Sequence, residues 1–222
     1  RSSRTFSCYV KNTEGTEFEI VDNFKYLGSY VSLQDGDLKE ISCKLAENRQ
    51  RFANFSNIWR SKRLGIPLKC KLYRAFILSA VLYSSETWTI SKLMEKKLES
   101  FHLTCLRRLL CVPYMQKISN HTLLAKTRMP TISLLIMIKR LKWFGHITRM
   151  DRNRLPAKAL DWKPCEHYSI ARKAIGGQRK SWIEQLELDC TRNNLQLSTV
   201  RRKAEQQSKT VFNAFIKSNF PK

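Results

Sequence analysis

Asp37 to Trp59, DLKEISCKLAENRQRFANFSNIW, is the stretch on which the fold turns. In front of it, before Asp35-Gly36, apolar residues alternate with a period near two; within it they recur with a period of about 3.6. Leu38, Ile41, Leu45, Phe52, Phe55 and Trp59 make one apolar stripe. Glu40 with Lys44 and Glu47 with Arg51 stand as i,i+4 ion pairs on the other face. Asp37 supplies an N-terminal cap, and Gly65-Ile66-Pro67 is a stop followed by a restart.

Upstream, Phe6–Val10 and Thr16–Val21 flank Asn12-Thr-Glu-Gly15 and predict a β-hairpin. FKYLGSYV, Phe24 to Val31, continues as a strand-like run in which Gly28 marks a bulge or a close backbone approach. Downstream, Pro67 opens a second helix to about Tyr83. Its Ala75–Leu82 stretch is apolar nearly all round and is expected to be central and buried, with Phe52, Trp59, Phe76 and Phe101 in the core. Ser91 caps a third helix through Leu110, with Met94, Leu98, Phe101, Cys105 and Leu109 inward, and Val112-Pro113 ends it. A short helix near Asn120–Thr127 follows, and Pro130 starts a long segment. Leu155-Pro156 begins a short helix to about Trp162, and Lys163–Gly177 reads as loop. Ser181 caps a helix from Trp182 to about Arg192, and a last helix spans Ser198–Lys217. The expected fold is mainly α: a small N-terminal β piece (residues 1–34), a helical bundle (35–127) and a basic helical C-terminal region (128–222).

Charge narrows the partners. The chain carries 41 Lys plus Arg against 18 Asp plus Glu, a net charge of +23. Solubility asks for only about 2 to 8 in a small domain. An excess that must be held against self-repulsion points to nucleic acid first and a membrane surface second. The most apolar window, ILSAVLY at Ile77–Tyr83, is far short of the roughly 20 residues that span a bilayer. The cations concentrate in RLKWFGHITRMDRNRLP, Arg140 to Pro156, where Arg140, Lys142, Arg149, Arg152 and Arg154 face a single acid, Asp151. Leu141, Phe144 and Gly145 fall on one helical face with Leu134, Met137 and Ile138, so the cations are expected on the other, presented to a polyphosphate or to solvent.

Chemistry-bearing groups are sparse. The 18 acids are scattered, with no D-x-D or adjacent acid pair in an apolar strand, as two-metal phosphoryl chemistry would need. No P-loop, G-x-G-x-x-G or G-x-S-x-G appears. The seven cysteines are odd in number and form no C-x-x-C, which fits reduced thiols in an intracellular, nuclear or cytoplasmic setting. Cys165 with His167 and Cys190, or His102 with Cys105, fall short of a four-ligand zinc set. His146, after Gly145, can meet a phosphate, cap a helix or simply pack. Trp143, Trp162 and Trp182 lie near cations, where an indole either stacks on an unpaired base or anchors a core. The opening RSSRTFSCYV, without Met, reads as the interior of a longer chain.

Several blocks in order carry a resemblance. They are F-x-Y-L-G at Phe24–Gly28, the long helix ending Ile58-Trp59, LYRAFILSAVLYSSETWTIS, and CLRRLL at Cys105–Leu110; then RLKWFGHITRM, RLPAKAL and GGQRKSW at Gly176–Trp182. Together they resemble the region downstream of the catalytic palm in reverse transcriptases of non-LTR retrotransposons, the RTE-like endonuclease-reverse transcriptases, over nearly all the chain. The resemblance implies a primer-grip hairpin with Phe24, Tyr26, Leu27 and Gly28 near the primer end. It implies a helical thumb up to about Cys111 that clamps the template-primer duplex, and a basic nucleic-acid-binding region from about Pro130. It implies RNA template, target DNA or RNA–DNA duplex as partners, with the palm, its Y-x-D-D carboxylates, their Mg²⁺ and the endonuclease upstream. The chain departs from the family at LYSSETW (Leu82–Trp88), with Ser84 where Gly is usual, and at SKTVFN (Ser208–Asn213), where Asp-Arg-x-x-Trp-Arg is usual.

The expected function is therefore nucleic-acid binding by a fragment with no catalytic residue, no cofactor and no membrane partner of its own. Candidate contacts are Arg140, Lys142, Trp143, His146, Arg149, Arg152, Arg154, Arg179, Lys180 and Trp182. The alternative is a host interaction protein derived from such an element, whose basic surface meets a protein partner.

Overall fold

The computed structural model describes residues 8–11, 13, 15–21, 23–32, 36–113, 115–161 and 181–219. They form a mainly helical chain with two small hairpins in front. Strands β1 (Cys8–Lys11) and β2 (Glu17–Ile20) pair antiparallel, Cys8 opposite Ile20. Strands β3 (Asn23–Tyr26) and β4 (Ser29–Ser32) pair antiparallel, Tyr26 opposite Ser29. FKYLGSYV is thus two strands and not one bulged strand. Leu27 and Gly28 both have positive φ, 46° and 83°, the backbone of a two-residue hairpin turn whose twist matches its strands.

Helix α1 (Gly36–Asn54) follows, broken at Phe55 from α2 (Ser56–Arg60). The stripe read from the sequence is buried at Ile41, Leu45, Phe52 and Trp59. Phe52 stacks on Trp59 with ring centroids 4.9 Å apart, and Trp59 Nε1 donates to the Phe52 carbonyl at 2.8 Å. Asp37 lies inside the first turn of α1. The Glu40–Lys44 pair is not on a solvent face: it is buried at 2.6 Å, because β4 packs on this side of α1. Ser29 Oγ donates to Glu40 at 2.7 Å, and Lys44 Nζ donates to the Tyr83 carbonyl, so one ion pair fastens the hairpin to two helical elements.

Helix α3 (Ile66–Tyr73) passes through a π-helical turn, Arg74–Leu78, into a final turn, α4 (Ser79–Val81). Tyr73, Ile77, Leu78, Val81 and Leu82 are buried, but Phe76 is 51% exposed and Ala75 and Ser79 are open as well. The expectation of burial all round fails here. Helices α1, α5 and α6 cover this segment from one side, and the wide turn carries Phe76 outward onto Phe55, 5.5 Å between ring centroids.

Ser84 follows with φ 62°, ψ 12°, a left-handed conformation that costs a side chain about 1–2 kcal/mol. This is the position where the resembled family carries Gly. Ser84→Gly should raise stability by about 0.5–1 kcal/mol, the strain relief less the added entropy of the unfolded chain. Urea unfolding checks it; a loss of stability would show that the Ser84 side chain contributes more than its backbone costs.

Ser91 Oγ accepts from the Met94 amide and opens α5 (Lys92–Leu109); Ser119 does the same for α6 (Asn120–Thr127) and Thr131 for α7 (Ile132–Thr148). Then come α8 (Leu155–Asp161), α9 (Trp182–Thr191), α10 (Leu197–Gln206) and α11 (Lys209–Asn219). The expected single helix from Ser198 to Lys217 is two, parted where Gln207 turns extended (φ −110°, ψ 148°).

Two apolar clusters result. The first runs from Ile41 to Ile136 and includes Trp59, Tyr73, Trp88, Leu106 and Leu123. The second gathers Met137, Leu141 and Phe144 with Leu186, Val200, Phe212 and Ile216. Helix α7 serves both, its first half in one and its second half in the other. The tail segment SKTVFN places Phe212 fully buried at Gly145, where an added Cβ would lie 2.2 Å from its ring. Only Gly lets α7 and α11 approach this closely.

Candidate nucleic-acid interface

The four residues of the F-x-Y-L-G motif stand together at the exposed tip of the second hairpin. Phe24, Tyr26 and Leu27 are 56%, 60% and 74% exposed, and the Phe24 and Tyr26 rings stack with centroids 6.4 Å apart. The tip is held by the Ser29–Glu40–Lys44 chain and by a Lys25–Glu47 ion pair at 3.3 Å. Between this hairpin, α1 and α4 lies a cavity of about 430 Å³, edged by Lys25, Lys44, Arg51 and Tyr83.

The basic block does not form one cationic face. Arg140 is 3% exposed and makes an ion pair with Asp189 of α9, itself 3% exposed. Gln185 Nε2 donates to the second Asp189 oxygen at 3.3 Å. Burial pulls the Arg140 guanidinium below its ordinary pKa and pushes the Asp189 carboxyl up, each opposed by the charge of the other. Arg140 is therefore a core cation and not a surface contact. Its position explains this: it sits three residues after Met137 and four before Phe144, on the buried stripe of α7.

Arg149 is also engaged internally. It donates to the Ala204 carbonyl at 3.1 Å near the end of α10, with its guanidinium 5.5 Å from the Phe212 ring centre. Lys142 and His146 are exposed on the outer face of α7, and Trp143 is half-buried, 5.4 Å from the His146 ring. Arg152 and Arg154 are exposed in the turn that follows, where Asp151 Oδ1 accepts from the Asn153 amide at 2.9 Å. Trp182 is half-buried, and its Nε1 donates to the Glu86 carbonyl at 2.8 Å, which ties α9 to the turn after α4. Ser181 and Glu184 form a reciprocal capping box at the start of α9. Arg179, Lys180, Trp162 and the Lys163–Gly177 stretch lie outside the described residues.

Three cations on other segments complete a basic surface that the Arg140–Pro156 stretch alone did not reveal. Lys158 of α8 and Arg201 of α10 line a groove with Arg152, and Arg202 is exposed beside them. The signal in the sequence was the adjacent Arg201-Arg202 pair; its separation from Arg152 along the chain concealed the grouping.

Among the described residues no group of three or more His, Cys, Asp or Glu side chains could hold a metal. Cys165 and His167 fall outside them. Cys105 and Cys190 are buried, and burial pushes both thiols up to about 12, so neither is a thiolate. Next to Cys105, His102 is fully buried between Tyr73 Oη, 2.9 Å from Nδ1, and the Pro130 carbonyl, 3.1 Å from Nε2. The carbonyl can only accept, so Nε2 carries the proton and Tyr73 donates to Nδ1. No described helix is long and apolar enough to cross a membrane.

No protein-family profile matches the chain, and no solved structure matches it. The chain is similar to a putative uncharacterized transposon-derived protein of Caenorhabditis elegans, 21% identical over 185 residues. The match covers 79% of this chain and 63% of the relative, so the chain spans less than two thirds of that protein's length. The similarity supports a transposon-related origin for the chain.

Proposed function

We propose that the chain is a nucleic-acid-binding section of a retroelement RNA-directed DNA polymerase, carrying a primer-grip hairpin, a helical thumb and a basic C-terminal region. The observation behind this reading is the exposed tip of Phe24, Tyr26 and Leu27, anchored through a buried ion pair to the helical part of a chain whose net charge is +23. Exposed aromatic side chains on a rigid hairpin suit contact with a nucleotide, and the charge supplies sequence-independent affinity for its backbone. The transposon-derived relative and the ordered motif blocks point the same way. The section contributes no catalytic carboxylates; these, with Mg²⁺, belong to the upstream palm. Its partners are the RNA template, target DNA or their hybrid, within the cell.

Fluorescence anisotropy with labelled single-stranded RNA, duplex DNA and RNA–DNA hybrid should show binding with weak sequence preference. The logarithm of the binding constant should fall steeply with the logarithm of salt, by about 0.9 per phosphate neutralised on a DNA duplex. A primed template with Mg²⁺ and nucleotides should show no incorporation. Absence of binding at low salt would overturn the reading and favour a protein partner for the basic surface; incorporation above a heat-killed control would overturn its non-catalytic part.

A further inference from the structure

Where the end of α7, α8 and α10 meet they enclose a groove of about 420 Å³. Its apolar lining is Ile147, Met150, Ala157 and Leu160, and among the described residues its charged lining is Arg152, Lys158 and Arg201 against Glu205. The three cations come from three separate segments, all exposed, and converge on one concavity. Like charges crowded at a low-dielectric wall repel one another and focus a positive field there. A merely solvated basic face would spread them over convex surface. The volume lies in the range of pockets that take one small molecule, about 300–1,000 Å³, and is far too small to admit a duplex. Among the described residues no aromatic side chain lines it.

Building on the nucleic-acid reading above, we infer that this groove is a single-strand site. One nucleotide of an unpaired strand enters it, its phosphate held by Arg152, Lys158 and Arg201 and its sugar and base edge resting on Met150, Ala157 and Leu160. With no aromatic platform among its described residues, and with its guanidinium and ammonium donors engaged by the phosphate, the site reads no base. It differs in place and substrate from the hairpin tip: it engages unpaired template or displaced strand on the far part of the chain.

The test uses the full chain with a dT oligonucleotide and a blunt DNA duplex as probes. A groove variant, Arg152→Gln with Lys158→Gln and Arg201→Gln, is compared with a control of equal charge change on α5, Lys92→Gln with Lys96→Gln and Lys97→Gln. Thermal melting confirms that both keep their fold. A single strand yields about 0.7 of salt slope per phosphate contact. With one phosphate in the groove, the groove variant should therefore lose about 0.7 of slope on the oligonucleotide beyond the control and leave the duplex curve at the level of the control. Equal losses in the two variants, or an equal loss on the duplex, would overturn the groove while leaving nucleic-acid binding intact. Failure of the unaltered chain to bind either probe would instead remove the broader reading on which the groove rests.

Discussion

Asp189→Ala should destabilise the fold by about 3–5 kcal/mol, as removal of one partner from a buried ion pair does. Arg140 would remain at 3% exposure with no paired carboxylate, opposed only by the charge of Glu95. Its guanidinium cannot shed its proton at any ordinary pH, so it must either stay charged in the core or drag α7 away from α9. Gln185, which now donates to Asp189, would lose that partner too. Removing both charges should behave differently. Arg140→Met with Asp189→Leu replaces the pair by apolar side chains of similar size, and should come within about 1 kcal/mol of the unaltered chain or exceed it. Urea unfolding of the single and double variants measures the contrast. A cost below about 1 kcal/mol for Asp189→Ala would mean that water reaches Arg140.

Acid should weaken the fold through His102. Burial, the larger influence, holds its pKa near 4 against the ordinary 6.5, while the Pro130 carbonyl pulls weakly the other way. The unfolded chain binds this proton first, so stability is complete above about pH 6.5 and falls as pH drops toward 4. At about 1.4 kcal/mol per unit the loss approaches about 3 kcal/mol. Glu99 and Asp189 have the opposite sign. Burial raises their folded pKa values, so their protonation favours the folded chain as pH falls and offsets part of the His102 loss. The clean measure is the difference between the unaltered chain and His102→Gln, unfolded in urea from pH 4 to pH 7. The variant should be weaker at neutral pH and show a flatter profile below pH 6.5. Parallel profiles would show that His102 is not buried neutral.

The helical frame was legible wherever a cap preceded a periodic run. Ser91 and Ser181 open their helices as the spacing required, and the stripe from Ile41 to Trp59 is buried. What stayed hidden was set by tertiary packing. Arg140 falls on the buried period of α7, but its charge suggested solvent, and the compensating Asp189 lies on a helix far along the chain. Glu40 and Lys44 look like a surface pair until β4 covers them. Phe76 is apolar in an apolar run, and only the π-helical turn with its one-sided neighbours shows why it faces out. Leu27 before Gly28 disguised a turn, since Asn or Asp is the usual residue there. At the interface, Arg152 and Lys142 are exposed as the sequence suggested, and His146, for which it left packing open, is exposed too, whereas Arg149 and Trp182 serve the packing of α10 and α9.

Helix α7 belongs to both apolar clusters, and this bears on how the chain can be inherited and cut. Ile132 and Ile136 sit in one cluster, and Met137, Leu141 and Phe144 in the other, beginning at the very next residue of the same rod. The bundle and the basic region are therefore not two interchangeable modules joined by a tether. A deletion that removed α9 to α11 would leave the second half of α7 with its apolar stripe and Arg140 bare, fused to a bundle it could not detach from. A lineage that kept the first part for another purpose would have to rewrite α7 itself. Any change that frees one part from the other must therefore act on α7, which the two share.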